Sequence, residues 1–180
     1  MMNTIFRALR HRNFRLFFLG QSVSLVGTWM QLVALSWLVY RLSNSPFLVG
    51  CTMFALQIPA FLLAPFAGVV ADRYDRRRTL MLIQTLSMSQ ALVMTVLVVT
   101  NTVTVVHVIS LSFFLGLVNA FDIPTRHSFV VEIVEDKADL SNGIALNSSL
   151  FNAARLIGPA LAGVLIALFG EGVCFFLNAL

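Results

Sequence analysis

The sequence predicts an all-α integral membrane protein, and both its composition and the spacing of its charges support that prediction. Of 180 residues, 58% are hydrophobic and 11% are charged, whereas a soluble domain carries about 25% charged residues. No Asp, Glu, Lys or Arg occurs in residues 16–40, 42–71 or 79–121. A helix needs about 20 apolar residues to cross roughly 30 Å of hydrocarbon, so the third stretch accommodates two spans.

Polar turns divide the apolar sequence into five complete spans and the start of a sixth. Turn-forming residues lie at 43–46, 72–78 and 100–102, and the last of these breaks is short enough to predict a tight antiparallel hairpin. Nine residues of helix, at about 1.5 Å each, cover under half of the hydrocarbon core, so the sixth span is expected to be cut short in this chain. We predict a basic N-terminal segment at residues 1–13 and a transmembrane bundle at 14–180, with helices at 14–40, 46–71, 79–100, 103–123, 141–169 and 172–180.

The basic residues lie almost entirely on one side of the predicted membrane. Arg41 is the exception on the opposite side. Because Lys and Arg are retained in cytoplasmic loops, we expect the N-terminus in the cytoplasm. This placement also accounts for the net charge of +4 without nucleic-acid binding. The mixture of Arg, Leu and Phe in residues 6–17 is typical of a segment at the membrane interface. The residues on the basic side are Arg7, Arg10, Arg12, Arg15, Arg73, Arg76, Arg77, Arg78, Arg126 and Lys137.

Polar side chains recur at helical spacing inside two of the predicted spans. Polar groups that face lipid cost free energy, so each stripe is expected to face protein or water. One interpretation is that the stripes hold helices together; the other is that they line a substrate path, which their presence on two helices favours. The stripe of the first helix is Gln21, Ser24, Thr28 and Gln31, and that of the fifth is Ser148, Asn152 and Arg155.

Ionisable residues inside the spans need partners or water. A cation at the membrane centre costs about 2.5–3.5 kcal/mol even on a lenient scale. Arg155 therefore attracts anionic substrate groups, gates a proton relay, or binds backbone carbonyls or a neighbouring Asp. Asp122 and Arg126 pair across one turn if the helix continues past Pro124, either as a cytoplasmic gate or as an interfacial ion pair. His107 is interpreted as an interfacial hydrogen-bonding residue, and a role in proton transfer is the less favoured alternative.

The fifth predicted helix contains a glycine–proline bend. Gly158, Pro159 and Gly163 predict a kink and close approach of neighbouring helices. Residues 65–69 of the second helix are similar to residues 159–164 of the fifth. This likeness is consistent with a three-plus-three inverted repeat in which the two helices are equivalent.

The connection between the second and third helices resembles a motif of the major facilitator superfamily. That pattern is Gly, three residues, Asp, a basic residue, any residue, Gly, any residue, then two basic residues. Asp75 replaces the second glycine, and Asp is among the few residues that tolerate the positive φ of a tight turn. We expect Gly68 to permit close helix contact and Asp72 to satisfy helix-end amides. The residues of the motif are Gly68, Asp72, Arg73, Arg76, Arg77 and Arg78.

Three further segments resemble the drug- and siderophore-exporting branch of the superfamily. They are residues 14–17, 121–126 and 155–159. The last is similar to the superfamily's antiporter motif, although alanines at 145, 154 and 162 stand where glycines are usual.

The resemblance implies a twelve-helix transporter of two six-helix halves, with a substrate site between them. It implies that Asp72 and the following arginines latch one state by binding the other half, and that Asp122 and Arg126 serve the cytoplasmic gate. This chain is expected to supply the N-terminal half, without the C-terminal six helices.

The function expected from the resemblance is proton-coupled export of drugs or siderophores across the bacterial plasma membrane. Lipid, a small-molecule substrate and protons are the expected partners, and we expect no enzyme activity, cofactor or metal. No phosphate-binding glycine loop followed by Lys-Ser or Lys-Thr occurs, so ATP drive has no basis in the sequence. An uptake carrier of the same superfamily and a truncated membrane protein without transport activity are the alternatives.

Overall fold

A computed structural model describes residues 7–134 and 137–180, without the side chains of residues 137 and 138. Residues 1–6 of the predicted N-terminal segment and the side chain of Lys137 lie outside the described residues. Five helices are long and apolar enough to cross a membrane, which confirms the predicted all-α membrane fold. A 3-10 turn at Arg7–Arg10 precedes six helices: α1 Arg12–Ser43, α2 Pro46–Arg73, α3 Arg76–Val99, α4 Val105–Ile133, α5 Lys137–Phe169 and α6 Gly172–Asn178.

Helices that are distant in the sequence pack together. α1 packs mainly against α5 and α6, and α4 packs mainly against α2 and α3. In a three-plus-three repeat, α1, α2 and α3 correspond to α4, α5 and α6. The α1–α5 pair then corresponds to the α4–α2 pair, and the α1–α6 pair corresponds to the α4–α3 pair. This correspondence is what a three-plus-three repeat requires.

Two glycines permit the helix backbones to approach closely at these contacts. A Cβ at Gly158 of α5 would overlap the Cβ of Trp29 and lie 3.0 Å from the carbonyl oxygen of Val26 on α1. In the corresponding α4–α2 contact, a Cβ at Gly116 would overlap the carbonyl oxygen of Leu56. Among the described residues, a Cβ at Gly68 or Gly163 would meet nothing within 4 Å, so neither glycine makes a close helix contact there.

Helix ends differ from the predicted spans because polar and charged residues at the membrane surface continue the helical hydrogen bonding. α1 and α2 continue to Ser43 and Arg73, and α5 begins at Lys137. The largest error concerns α4, which continues through Pro124 to Ile133 instead of ending at residue 123. The α3–α4 turn is longer than predicted because Asn101 adopts a positive φ of 56° and Thr104 caps α4 by accepting from the His107 backbone amide.

The turn between α2 and α3 corrects two expectations about its aspartates. Asp75 has φ −58°, so it does not adopt the positive φ of the glycine that it replaces. Its carboxylate instead accepts a 2.7 Å hydrogen bond from the backbone amide of Arg78 and caps α3. Asp72 is exposed near the carboxyl end of α2. It makes no hydrogen bond within the described residues, so it does not satisfy helix-end amides.

The 3-10 turn binds the first turns of α5. The backbone amide of Ala8 donates to Asn142 Oδ1 at 3.0 Å. Asp139 pairs with Arg7 at 3.1 Å and lies 3.4 Å from His11 Nε2.

Phe14 is fully buried in a cluster with Val130, Val134 and Leu146. These contacts hold α1, α4 and α5 together at one end of the bundle, and α1 begins at Arg12 rather than at residue 14. The interfacial placement of residues 6–17 stays a prediction.

Candidate functional site

A cavity with polar and aromatic walls lies between the helices near the middle of the bundle. Its volume is about 190 Å³, and an adjoining cavity of the same size shares much of its wall. The adjoining cavity extends to Asp122 and Arg126 on α4. Because polar groups inside a span are costly in lipid, this wall is suited to a solute or water. The side chains that line both cavities are Leu25, Thr28, Gln57, Ser87, Asn119, Phe151 and Asn178.

Several of these polar residues were not predicted from the sequence. Gln57, Ser87, Asn119 and Asn178 stand on four different helices. Ser87 is three residues from Gln84, and Asn119 is three residues from Asp122, so this helical spacing was the available signal for both. For Gln57 and Asn178 the signal was a single polar residue in an apolar segment, which needs a partner or water wherever it faces. The rotation of each helix about its own axis decides whether these side chains meet.

The predicted stripe of α1 lines cavities and also makes a helix contact. Ser24 and Thr28 face the cavities. Gln31 is buried and lines the first cavity, and Gln21 is buried and lines a separate cavity. Gln31 Nε2 donates to Gln90 Oε1 of α3 at 2.8 Å, and Asn178 Nδ2 of α6 donates to Gln31 Oε1 at 2.5 Å. Gln31 therefore joins three helices, as the packing interpretation proposes.

The predicted stripe of α5 lies along a crevice between α1, α4 and α5. Ser148 and Asn152 line this crevice, which has a volume of about 360 Å³ and also includes Asp122 and Arg126. Asn152 Nδ2 donates to the backbone carbonyl of Ser148 at 2.9 Å, which satisfies one of its donors within the helix. The carbonyl end of the amide stays available to the crevice.

Arg155 lies one turn further along α5, over an aromatic wall. Its guanidinium carbon is 5.7 Å from the ring centroid of Trp29. The Trp29 ring meets Phe151 edge to face at a centroid distance of 5.6 Å. Among the described residues, Arg155 is bound neither to a backbone carbonyl nor to an aspartate, the two structural partners that the sequence allowed. A cation–π contact holds its position instead.

Asp122 and Arg126 form the ion pair that their spacing predicts, because α4 remains helical past Pro124. Arg126 donates to Asp122 Oδ2 through Nε at 3.1 Å and through Nη2 at 2.5 Å. The two side chains are 16% and 17% exposed, so the pair is largely withdrawn from solvent. Both residues line three separate cavities. The remaining guanidinium nitrogen, Arg126 Nη1, is buried without a partner in the described part of the chain.

The basic motif lies at the same end of the bundle as the N-terminal turn. Arg73, Arg77 and Arg78 are exposed there. Arg76 makes a 2.8 Å ion pair with Glu132 near the end of α4. The arginines at 73, 77 and 78 make no ion pair within the described residues, so their charges are available to a surface outside them.

Two ionisable groups at the opposite end have structural partners. His107 Nδ1 accepts from the backbone amide of Thr104 at 3.3 Å, which completes a capping box. The hydrogen-bonding interpretation of His107 is supported by this contact. Arg41 pairs with the buried carboxylate of Glu171, a contact that the sequence analysis missed. The signal was a single basic residue and a single acidic residue on the same side of the membrane.

Comparison with known proteins places these features in a family. Residues 3–180 match the family model of transmembrane secretion effectors. The chain is 27% identical over 172 residues to the Staphyloferrin A transporter of Staphylococcus aureus (strain NCTC 8325 / PS 47), covering 91% of this chain and 43% of that protein. It is 26% identical over 148 residues to the multidrug efflux pump Tap of Mycolicibacterium fortuitum, covering 80% and 36%.

A further relative is the uncharacterized MFS-type transporter YfiS of Bacillus subtilis (strain 168). It is 27% identical over 164 residues, covering 89% of this chain and 37% of YfiS. No solved structure matches the chain. The chain spans 36–43% of the length of these three relatives.

All three relatives are named as transporters or pumps, and none is named as an enzyme. The match extends over the helical bundle, the motif at residues 68–78 and every residue that lines the cavity. The chain therefore belongs to the transmembrane secretion effector family of the major facilitator superfamily.

Proposed function

We propose that this chain acts as the N-terminal half of a proton-driven exporter of small amphipathic molecules. The observation that carries the proposal is the cavity wall, which runs from Asn178 to the Asp122–Arg126 pair. Amide and hydroxyl groups on this wall suit the polar part of a solute. Trp29 and Phe151 suit its apolar part. Two of the relatives are named as a multidrug efflux pump and a Staphyloferrin A transporter, which supports a small-molecule substrate.

Access to the cavity would alternate as this half rocks against a second half. Phe47, Phe61 and Leu156 are 76%, 79% and 78% exposed, so α2 and α5 present apolar surface to lipid or to that second half. Asp72, Arg73, Arg77 and Arg78 are exposed at the basic end and would latch one state by binding it. Opening and closing around a central site is how transporters built from internal repeats achieve alternating access.

Protons would couple to the cavity through Asp122. Within the described residues, it is the carboxylate that lines the cavity. The other described carboxylates lie at the helix ends. The relatives are bacterial, and the basic end would face the cytoplasm of a bacterial plasma membrane. The Asp122–Arg126 pair would then close the cytoplasmic side of the path.

Proteoliposomes test this function. The protein is placed in inside-out vesicles whose interior is made more acidic than the outside. This proton gradient should drive an amphipathic fluorescent dye into the vesicles. Asp122→Asn should abolish the dependence on the gradient. Glu132→Gln, which alters a surface ion pair away from the cavity, should preserve it. Dye movement in the opposite direction would indicate an uptake carrier, and movement that ignores the gradient would remove proton coupling.

A further inference from the structure

Arg155 stands near the middle of its transmembrane helix. It follows the start of α5 by 18 residues and precedes the end by 14 residues, as the bounds 137 and 169 require. At about 1.5 Å per residue, it lies roughly 27 Å and 21 Å from the two helix ends. A guanidinium at that depth is stable only beside an anion, a polar cavity or a polarisable surface.

The charges near the cavity leave Arg155 without a carboxylate. Arg126 also reaches the cavity, but Asp122 neutralises it. Every other ion pair in the described part of the chain lies at an end of the bundle. These pairs are Arg7 and His11 with Asp139, Arg76 with Glu132, and Arg41 with Glu171. Arg155 is exposed on α5 and lines none of the cavities described above. It therefore adds one positive charge, unpaired within the described residues, beside the Trp29 wall.

The aromatic contact holds this charge next to a residue of the cavity wall. Trp29 lines the cavity, and Arg155 lies over its ring. Phe151, one turn away on α5, borders the same cavity and packs against Trp29. A guanidinium that rests on an aromatic face keeps its N–H fork for a carboxylate or a phosphate, which it binds bidentately.

We infer that Arg155 binds the oxyanion of the transported molecule, so that the substrate class is amphipathic anions. The inference rests on the proposed transport function and adds substrate selection to it. The apolar body of the anion lies against Trp29 and Phe151, and its carboxylate or phosphate accepts from Arg155. Amide and hydroxyl groups of Thr28, Gln57 and Asn119 bind the remaining polar groups.

Equilibrium binding to the protein in lipid nanodiscs tests the inference with four probes that share one aromatic body. They are 1-naphthoate, 1-naphthyl phosphate, 1-naphthamide and 1-naphthylmethylammonium. Wild type should bind one or both anions at least about tenfold more tightly than the amide, the difference expected of a charge-assisted hydrogen bond. The better of the two anions identifies the oxyanion. The ammonium probe should bind most weakly.

Substitutions at Arg155 separate recognition from folding. Arg155→Gln should weaken the anions about tenfold or more and change the amide less than about twofold. Arg155→Lys should keep a preference for anions with reduced affinity, because it retains the charge and loses the fork. Arg10→Gln, an exposed arginine of the 3-10 turn, should change none of the four affinities. Arg155→Lys decides the question if Arg155→Gln fails to fold.

The inference is overturned if wild type prefers the amide or the ammonium probe. It is also overturned if Arg155→Gln weakens all four probes equally, which would show a structural arginine that has its partner elsewhere. The assay applies no gradient. Anion selectivity without proton-driven export would sink the proposed function and leave this inference standing. Export without anion selectivity would do the reverse.

Discussion

At the residue scale, the Asp122–Arg126 pair lines three cavities and is largely withdrawn from solvent. Its formation is local, because residues four apart on one helix face the same side. This is why the pair was predictable from the sequence once α4 was allowed to continue past Pro124. The contacts of Gln31 with Gln90 and Asn178 were not predictable, because they depend on how α1, α3 and α6 are rotated about their own axes.

We predict that the two members of this pair are strongly coupled in stability. Asp122→Asn leaves the Arg126 charge without its counter-ion in a poorly solvated site, so it should lower the free energy of unfolding by about 1–3 kcal/mol. Removing both charges with Asp122→Asn/Arg126→Gln should recover part of that loss. Thermal unfolding in detergent of the four proteins in this cycle measures the coupling. Simple additivity of the two single effects would show that the residues do not interact.

The two aspartates of the α2–α3 turn should behave differently. Asp75→Ala removes the N-cap of α3 and should lower stability by about 0.5–2 kcal/mol. Asp72→Asn removes no contact within the described residues, so it should leave the unfolding midpoint unchanged while slowing transport. Parallel unfolding and vesicle-transport assays compare the two variants. If Asp72→Asn left the transport rate at the wild-type value, the latch proposed for Asp72 would be wrong.

At the scale of the element, small residues decide how closely α1 and α5 approach each other. Gly158 touches the α1 backbone, whereas Gly163, five residues further along the same helix, faces open space. The sequence indicated that α5 carries close-contact glycines but did not distinguish these two. Composition reveals which residues are small, whereas the rotation of the helix decides which of them meets a neighbour.

Alanine at these two glycines provides a matched test. Gly158→Ala should lower the free energy of unfolding by about 1–3 kcal/mol, because the new methyl group overlaps Trp29 and crowds the Val26 carbonyl. Gly163→Ala should leave stability unchanged or raise it by up to about 1 kcal/mol, since alanine has the higher helix propensity. Unfolding midpoints of both variants in the same detergent make the comparison. Equal effects would contradict the described α1–α5 packing.

The helix bounds show where sequence patterns are informative. The charge-free stretches located α1 to α4, because lipid selects directly against charge, whereas the predicted span of α5 contains Arg155. The ends were less predictable, since arginine and aspartate at the membrane surface are compatible with either helix or turn. The end predicted for α4 just before Pro124 was wrong. The rest of α4 compensates for the amide that proline lacks, and the helix continues to Ile133.

At the scale of the whole molecule, α1 packs on α5 as α4 packs on α2, so the bundle contains two similar helix packings. The cavity lies where they meet, and the residues that line it come from every helix. The family was predictable from the motif at residues 68–78. The arrangement of polar groups around the cavity was not, because it requires six helices to be placed at once.

The proposed transport path depends most on the direction in which this bundle crosses the membrane, with its basic turns and the Asp122–Arg126 pair in the cytoplasm. A single cysteine at Tyr74 or at Thr102, both exposed turn residues at opposite ends, reports that direction in a protein whose Cys51 and Cys174 are replaced with alanine. A membrane-impermeant maleimide applied to intact cells should label Thr102→Cys and spare Tyr74→Cys, and inside-out vesicles should reverse the pattern. Labelling of Tyr74→Cys in intact cells would contradict the account, because the proposed cytoplasmic gate would then face the outside.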